Sequence, residues 1–153
     1  MKIKDKYYRN VERLLYNYNM LKANVETLDR ELILLRELYP VDGVKGIAYD
    51  GVPSQTNKIN NPTESEAIPR LEIWERLKKR REETQKVLDI LDRFINELNE
   101  VERKIIRMYY IEGKRWWEIA YEVQYNERHC RRIRTEAIGK LAVGLYGKEA
   151  IEE

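Results

Sequence analysis

Apolar residues recur along the first third of the chain with alternating spacings of four and three residues. These positions are Tyr7, Val11, Leu14, Tyr18, Leu21, Val25, Leu28, Leu32, Leu35 and Tyr39. A mean period of 3.5 residues without an intervening glycine or proline is typical of a coiled-coil seam. The pattern predicts one helix over residues 4–39, about 50 Å long at its helical rise. Such a helix needs a partner to cover its apolar stripe.

A second long helix is predicted after a region rich in glycine and proline. Residues 40–62 hold three of the seven glycines and three of the four prolines, which predicts a long connecting loop. A T-x-x-E capping box starts the next helix near Thr63, unless that helix begins at Pro69. Its seam comprises Trp74, Leu77, Arg81, Thr84, Leu88, Leu91, Ile95 and Leu98. We expect an antiparallel hairpin over residues 1–97, or pairing of each helix with a second copy of the chain.

Shorter helices separated by turn signals follow the second long helix. Asn99, three residues before Glu102, predicts a capped helix over residues 100–110, and Gly113 in the following segment prevents its continuation. A two-turn helix is predicted over residues 116–123, then a turn, then a helix capped by Asn126. Short helix, tight turn and longer helix make a helix-turn-helix, whose second helix lies in the DNA major groove. The expected fold is all-α, with a helical hairpin (1–97), a helix-turn-helix domain (98–145) and a tail (146–153).

The last of these predicted helices carries an apolar stripe on one side and arginines on the other. Its stripe comprises Cys130, Ile133, Ala137 and Leu141, and its arginines are Arg128, Arg131 and Arg132, with Arg134 flanking them. Residues 127–134 contain four arginines and one glutamate, although the whole chain has a net charge of only +2. Such a cluster is suited to neutralising phosphates and to bidentate contacts with guanine.

Composition and motifs argue against a membrane protein, a zinc protein and an enzyme. The chain has no run of about 18 apolar residues and no signal-peptide core, so we expect a cytoplasmic protein without a membrane partner. Its single histidine and single cysteine, His129 and Cys130, are too few for a four-ligand zinc site. No glycine-rich phosphate loop or nucleophile motif is present. We therefore expect no metal, no cofactor and no enzymatic activity.

Residues 118–141, EIAYEVQYNERHCRRIRTEAIGKL, resemble region four of bacterial sigma factors. The resemblance covers residues 98–145 and rests on an E-I-A helix, a turn, a polar cap, an arginine-rich helix and an A-I-x-K-L ending. It implies that Asn126 caps the DNA-reading helix and that Arg115 contacts a phosphate. The residues that it implies face the bases are Glu127, Arg128, Arg131 and Arg132. The sequence departs from the family at Gln124, where the turn commonly has glycine.

The order of segments along the whole chain is similar to that of the ArpU/RinA-type phage transcriptional regulators. The shared features are a long N-terminal helix, the connection GIAYDGVPSQTNKINNPTESEAI and the sigma-like C-terminal segment. This similarity implies a phage or prophage protein that activates late genes for packaging or lysis.

The leading hypothesis from the sequence is a transcription regulator that binds double-stranded promoter DNA. Its helical hairpin would form a homodimer or contact host RNA polymerase. Two alternatives remain open. One is a phage small terminase subunit that binds packaging-site DNA, and the other is a helical adaptor that binds a protein partner through its coiled helix and Trp116–Trp117.

Overall fold

The computed structural model describes residues 1–38 and 64–152, which are mostly helical and contain no β-strand. The helices are α1 (Asp5–Tyr16), α2 (Tyr18–Leu38), α3 (Glu64–Glu97), α4 (Glu100–Ile106), α5 (Trp116–Val123) and α6 (Glu127–Tyr146). A π-helical turn, Arg107–Ile111, extends α4, and a 3₁₀ turn, Gly147–Ala150, follows α6. The all-α prediction is confirmed for these residues. The predicted 40–62 loop, Tyr39 and the capping residue Thr63 lie outside them.

Asn17 divides the N-terminal helix that was expected to run from residue 4 to residue 39. Its backbone leaves helical geometry at φ −92° and ψ 2°, and its Nδ2 donates a hydrogen bond to the Arg13 carbonyl oxygen at 2.9 Å. An asparagine side chain that competes for a helical carbonyl favours a helix end. The prediction of one continuous helix is therefore wrong at this residue. The seam spacing nevertheless holds, because every seam position up to residue 35 is buried or half-buried.

The described chain divides into two compact units, drawn differently from the expected boundary between residues 97 and 98. The first unit comprises Met1–Ala23 and Thr84–Glu153, and the second comprises Asn24–Glu83. The first unit includes α1 and the end of α3 because their apolar residues share one core with α4 and α6. The buried residues of this core are Val11, Leu15, Leu91, Ile95, Leu98, Ile106, Tyr110, Ala137, Ile138, Leu141, Ala142 and Ala150.

In the second unit, an ion pair accounts for the charged residue that interrupts the α3 seam. Arg81 Nε lies 2.7 Å from Asp29 Oδ1, and both side chains are partly buried. Val25 and Leu28 are the buried apolar residues of α2 in this unit.

The predicted tail is part of the first unit. Helix α6 continues to Tyr146, the first residue of that predicted tail. Beyond the 3₁₀ turn, Ile151 forms an isolated antiparallel β-bridge with Ile3, and Glu152 pairs with Lys2 at 2.6 Å. These contacts attach the segment after α6 to the segment before α1. None of the helices in the described ranges has the length and apolar content needed to cross a lipid bilayer.

Candidate nucleic-acid interface

Helix α4 is fastened to α6 by a buried glutamate. Asn99 caps α4 by accepting a hydrogen bond from the Glu102 backbone N–H at 2.9 Å, and the Glu102 carboxylate accepts one from the Asn99 N–H at 3.2 Å. This reciprocal capping box was predicted from the sequence. The second carboxylate oxygen of Glu102 accepts a hydrogen bond from Lys140 Nζ on α6 at 2.6 Å. The side chain that caps α4 therefore also anchors the middle of α6.

The turn between α5 and α6 is built on a left-handed residue. Gln124 has φ 59° and ψ 36°, and it is the one non-glycine residue with positive φ in the described ranges. This is the position at which the resembled family commonly has glycine. The departure noted in the sequence therefore corresponds to real backbone strain, because an L-residue in this region costs about 1 kcal/mol or more.

We predict that Gln124→Gly stabilises the protein by about 1 kcal/mol, because glycine adopts the left-handed conformation without strain. For a chain of this size the midpoint of thermal unfolding should rise by about 2–4 °C. Gly113 provides the matched control. Its φ is +67°, and a Cβ atom at this position would have no other atom within 4 Å. Gly113→Ala should therefore lower the midpoint through backbone strain alone. A midpoint that Gln124→Gly leaves unchanged or lowers would contradict the strained-turn interpretation.

Asn126 begins α6 as the sequence predicted. Its side-chain Oδ1 accepts a hydrogen bond from the His129 backbone N–H at 2.7 Å, and its own carbonyl oxygen accepts one from the Cys130 N–H at 3.0 Å. Asparagine is among the best residues at this position because its short side chain reaches the free N–H groups of the first turn. Asn126 therefore acts on α6 through the backbone.

One face of α6 packs against α5 and α4. Cys130 is fully buried in a cluster with Ile105, Met108 and Ile119. Burial raises the pKa of the Cys130 thiol above its ordinary value. The thiol is therefore held in its neutral form as a small apolar group, and the expectation that Cys130 lies on the buried stripe is confirmed.

Arg128 and Arg132 are exposed one turn apart on the opposite face of α6. They line a shallow depression together with Asn126 and His129. The Arg132 guanidinium lies 2.9 Å from His129 Nδ1. Because a guanidinium only donates hydrogen bonds, Nδ1 is the acceptor in this contact. His129 thereby holds Arg132 in place, whereas the Arg128 side chain has no partner among the described residues.

Arg131 and Arg134 lie differently from this pair, because both rest on the indole ring of Trp116. Their guanidinium carbons are 5.5 Å and 5.4 Å from the centroid of that ring. Arg134 also lies over the Tyr109 ring at 5.3 Å, and Tyr109 stacks on Trp116 with centroids 4.5 Å apart. Arg131 is exposed and 3.4 Å from Glu127, but Arg134 is half-buried. The main contacts of Arg134 are therefore with these two rings, through which it packs α6 against the start of α5.

Helix α1 reaches this aromatic stack through tyrosines. The Tyr110 hydroxyl donates a hydrogen bond to Glu12 Oε1 at 3.1 Å, and burial raises the Tyr110 pKa. The Tyr16 hydroxyl lies 3.3 Å from that of Tyr109, and this hydrogen bond raises the Tyr16 pKa to about 12. With raised pKa values, Tyr16 and Tyr110 stay neutral at physiological pH. They connect α1 to the ring on which Arg134 rests.

The two remaining predicted site residues lie at helix starts. Arg115 precedes α5 and is exposed, with its backbone N–H donating to Glu118 Oε2 at 2.7 Å. Glu127 is the first residue of α6 and pairs with Arg131. The structure thus brings Asn126, Arg128 and Arg132 together at one end of α6. Arg131, Glu127 and Arg134 extend from there toward Trp116.

The stack of Tyr109, Trp116 and two arginines was not foreseen from the sequence, which placed all four arginines near DNA. A spacing signal was present. Arg131 and Arg134 are three residues apart, so they share a face of α6 that lies between the buried stripe and the exposed face. Sequence alone does not show which face the Tyr109 and Trp116 rings occupy.

The described part of the chain is thus a helical protein that exposes an arginine-bearing helix on a scaffold of α1, α3, α4 and α5. Residues 7–143 match the family described as protein of unknown function (DUF722), and the chain belongs to that family. No curated protein and no solved structure matches it.

Proposed function

We propose that this protein is a sequence-specific DNA-binding transcription regulator in which α5, the Gln124 turn and α6 act as a helix-turn-helix. The observation that carries the proposal is the two-sided character of α6. Cys130 and Ala137 bury one side, while Arg128 and Arg132 are exposed on the other, within the first two turns after the Asn126 cap. Base contacts in helix-turn-helix proteins come from this N-terminal half of the second helix.

Within this proposal the arginines have different roles. Arg128 and Arg132 reach base edges, because they are exposed and Arg132 is held by His129. Arg131 contributes charge from the margin of the face, Arg134 positions α6 by its packing, and Arg115 binds a phosphate from the start of α5. Fixed guanidinium groups lose less conformational entropy on binding than free ones, which favours Arg132 as a specificity residue.

The proposal also includes a helical hairpin formed by α2 and α3. One contact within each unit joins these two helices: the Tyr18 hydroxyl donates to Asp92 at 2.9 Å in the first unit, and Arg81 pairs with Asp29 in the second. In the proposed regulator this hairpin supplies homodimerisation or contact with host RNA polymerase. Activation of late phage genes is the role that the resemblance to the ArpU/RinA-type regulators suggests.

Selection of bound sequences from random double-stranded DNA tests the proposal with the full-length chain. We expect enrichment of one motif and a steep loss of affinity with rising salt, because arginines that neutralise phosphates release counterions. A palindromic motif with half-sites one helical turn apart would indicate that the protein binds as a dimer. Failure to enrich any motif, in salt low enough for binding, would contradict sequence-specific recognition.

A further inference from the structure

The outer face of α5 and the turn that follows it carry three aromatic side chains that the proposed DNA contact does not use. Trp117 is 61% exposed, Tyr121 86% and Tyr125 44%. Trp117 and Tyr121 are four residues apart on one helix and therefore share a face. Together with Tyr125 they line an open groove of ≈ 980 Å³. We call this surface the α5 groove.

The charges around the α5 groove are mainly negative. Glu118 and Glu122 line it together with Lys114. Lys114 is already shared between two carboxylates, since its Nζ lies 2.9 Å from Glu122 and 3.1 Å from Glu112. The lining thus carries two carboxylates and one ammonium, a net charge of −1. The arginine face of α6 has the opposite sign.

Exposed aromatic rings beside carboxylates favour a ligand that carries positive charge. The face of an aromatic ring carries a negative quadrupole and attracts cations, most often arginine, which also stacks flat on the ring. Carboxylates beside the rings add to that attraction and repel phosphate groups. Bases of single-stranded nucleic acid also stack on exposed aromatics, but their backbone needs a basic groove. Large exposed tryptophan and tyrosine residues are enriched at protein–protein interfaces.

We propose that the α5 groove binds an arginine- or lysine-bearing segment of a partner protein. The guanidinium or ammonium groups of that segment lie over Trp117 and Tyr121 and pair with Glu118 and Glu122. The inference does not depend on DNA binding by α6, because it uses a different helix face and the opposite sign of charge.

The test uses the full-length protein and fluorescent 12-residue peptides followed by anisotropy. One peptide alternates arginine with leucine, and a second replaces each arginine by citrulline, which keeps the shape and removes the charge. We expect the arginine peptide to bind and the citrulline peptide to bind at least about fivefold more weakly. Trp117→Ala with Tyr121→Ala should weaken binding of the arginine peptide about tenfold.

Two controls separate the groove from general effects. Val87→Ala with Ile90→Ala removes a comparable exposed pair from α3 and should leave peptide affinity unchanged. Thermal unfolding of the Trp117→Ala, Tyr121→Ala protein should match that of the wild type, because both side chains point into solvent. Glu122→Gln should weaken the arginine peptide by a smaller factor than the aromatic double substitution.

Several results would overturn the inference. The first is equal binding of both peptides, and the second is equal affinity in the wild type and the Trp117→Ala, Tyr121→Ala protein. Binding of a 12-nucleotide thymidine oligomer that this variant loses would assign the groove to nucleic acid. Self-association of the wild type that the same variant abolishes would assign it to a second copy of the chain.

Discussion

Replacing Arg128 and Arg132 together by alanine is expected to weaken binding to the selected DNA site by about 30-fold or more. Each bidentate arginine–guanine contact contributes about 1–3 kcal/mol of discrimination. The loss should be much smaller on unrelated DNA, where only phosphate attraction acts. Electrophoretic mobility shift assays on the selected site and on a scrambled site measure the loss of specific affinity and the loss of non-specific affinity.

The matched control removes two exposed positive charges from α3 by Lys86→Ala and Arg93→Ala. This variant carries the same net charge as the double variant of α6. If it loses as much specific affinity, bulk charge and not the α6 face explains the binding, and the assignment of Arg128 and Arg132 fails. Circular dichroism should show both variants folded, because all four side chains are exposed.

The second large effect concerns stability and distinguishes two neighbouring leucines of α1. Leu15→Ala should lower the free energy of unfolding by about 2–5 kcal/mol, because Leu15 is fully buried and its removal leaves a cavity. Leu14→Ala should cost only about 1 kcal/mol, since Leu14 is partly exposed. The heptad pattern alone predicts the reverse order, because it places Leu14 in the seam. Urea unfolding of the two variants shows which of these two orders of destabilisation is correct.

Met20→Ala serves as the reference for that series. Met20 is 74% exposed, so its removal should change stability by less than about 0.5 kcal/mol. Equal losses for Leu14→Ala and Leu15→Ala would contradict the deeper burial of Leu15 in the core that α1 shares with α6.

Local signals in the sequence predicted the local structure around the candidate site well. The Asn99 and Asn126 caps, the bounds of α5 and the burial of Cys130 agree with expectation. These features depend on residues within one or two helical turns of each other. Short-range hydrogen bonding and helical periodicity are therefore sufficient to infer them.

Features that depend on distant residues were not accessible from the sequence. Arg81 interrupts the apolar pattern of α3, and the sequence does not indicate that Asp29 lies beside it. The sequence groups Arg134 with the DNA-binding arginines, whereas its guanidinium packs on the rings of Tyr109 and Trp116. Leu15 is fully buried although it lies outside the heptad seam, because it packs into the core that α1 shares with α6. Each case needs a long-range contact, which no local spacing rule encodes.

Base reading by α6 is tested most directly by repeating the DNA selection with Arg128→Gln. Arginine pairs with guanine in the major groove, whereas glutamine pairs with adenine. Arg128 is suited to this exchange because it is exposed and has no partner among the described residues. We expect the enriched motif to change from guanine to adenine at one position per half-site and to keep the remaining positions. A motif identical to that of the wild type at every position would contradict base recognition by this face of α6.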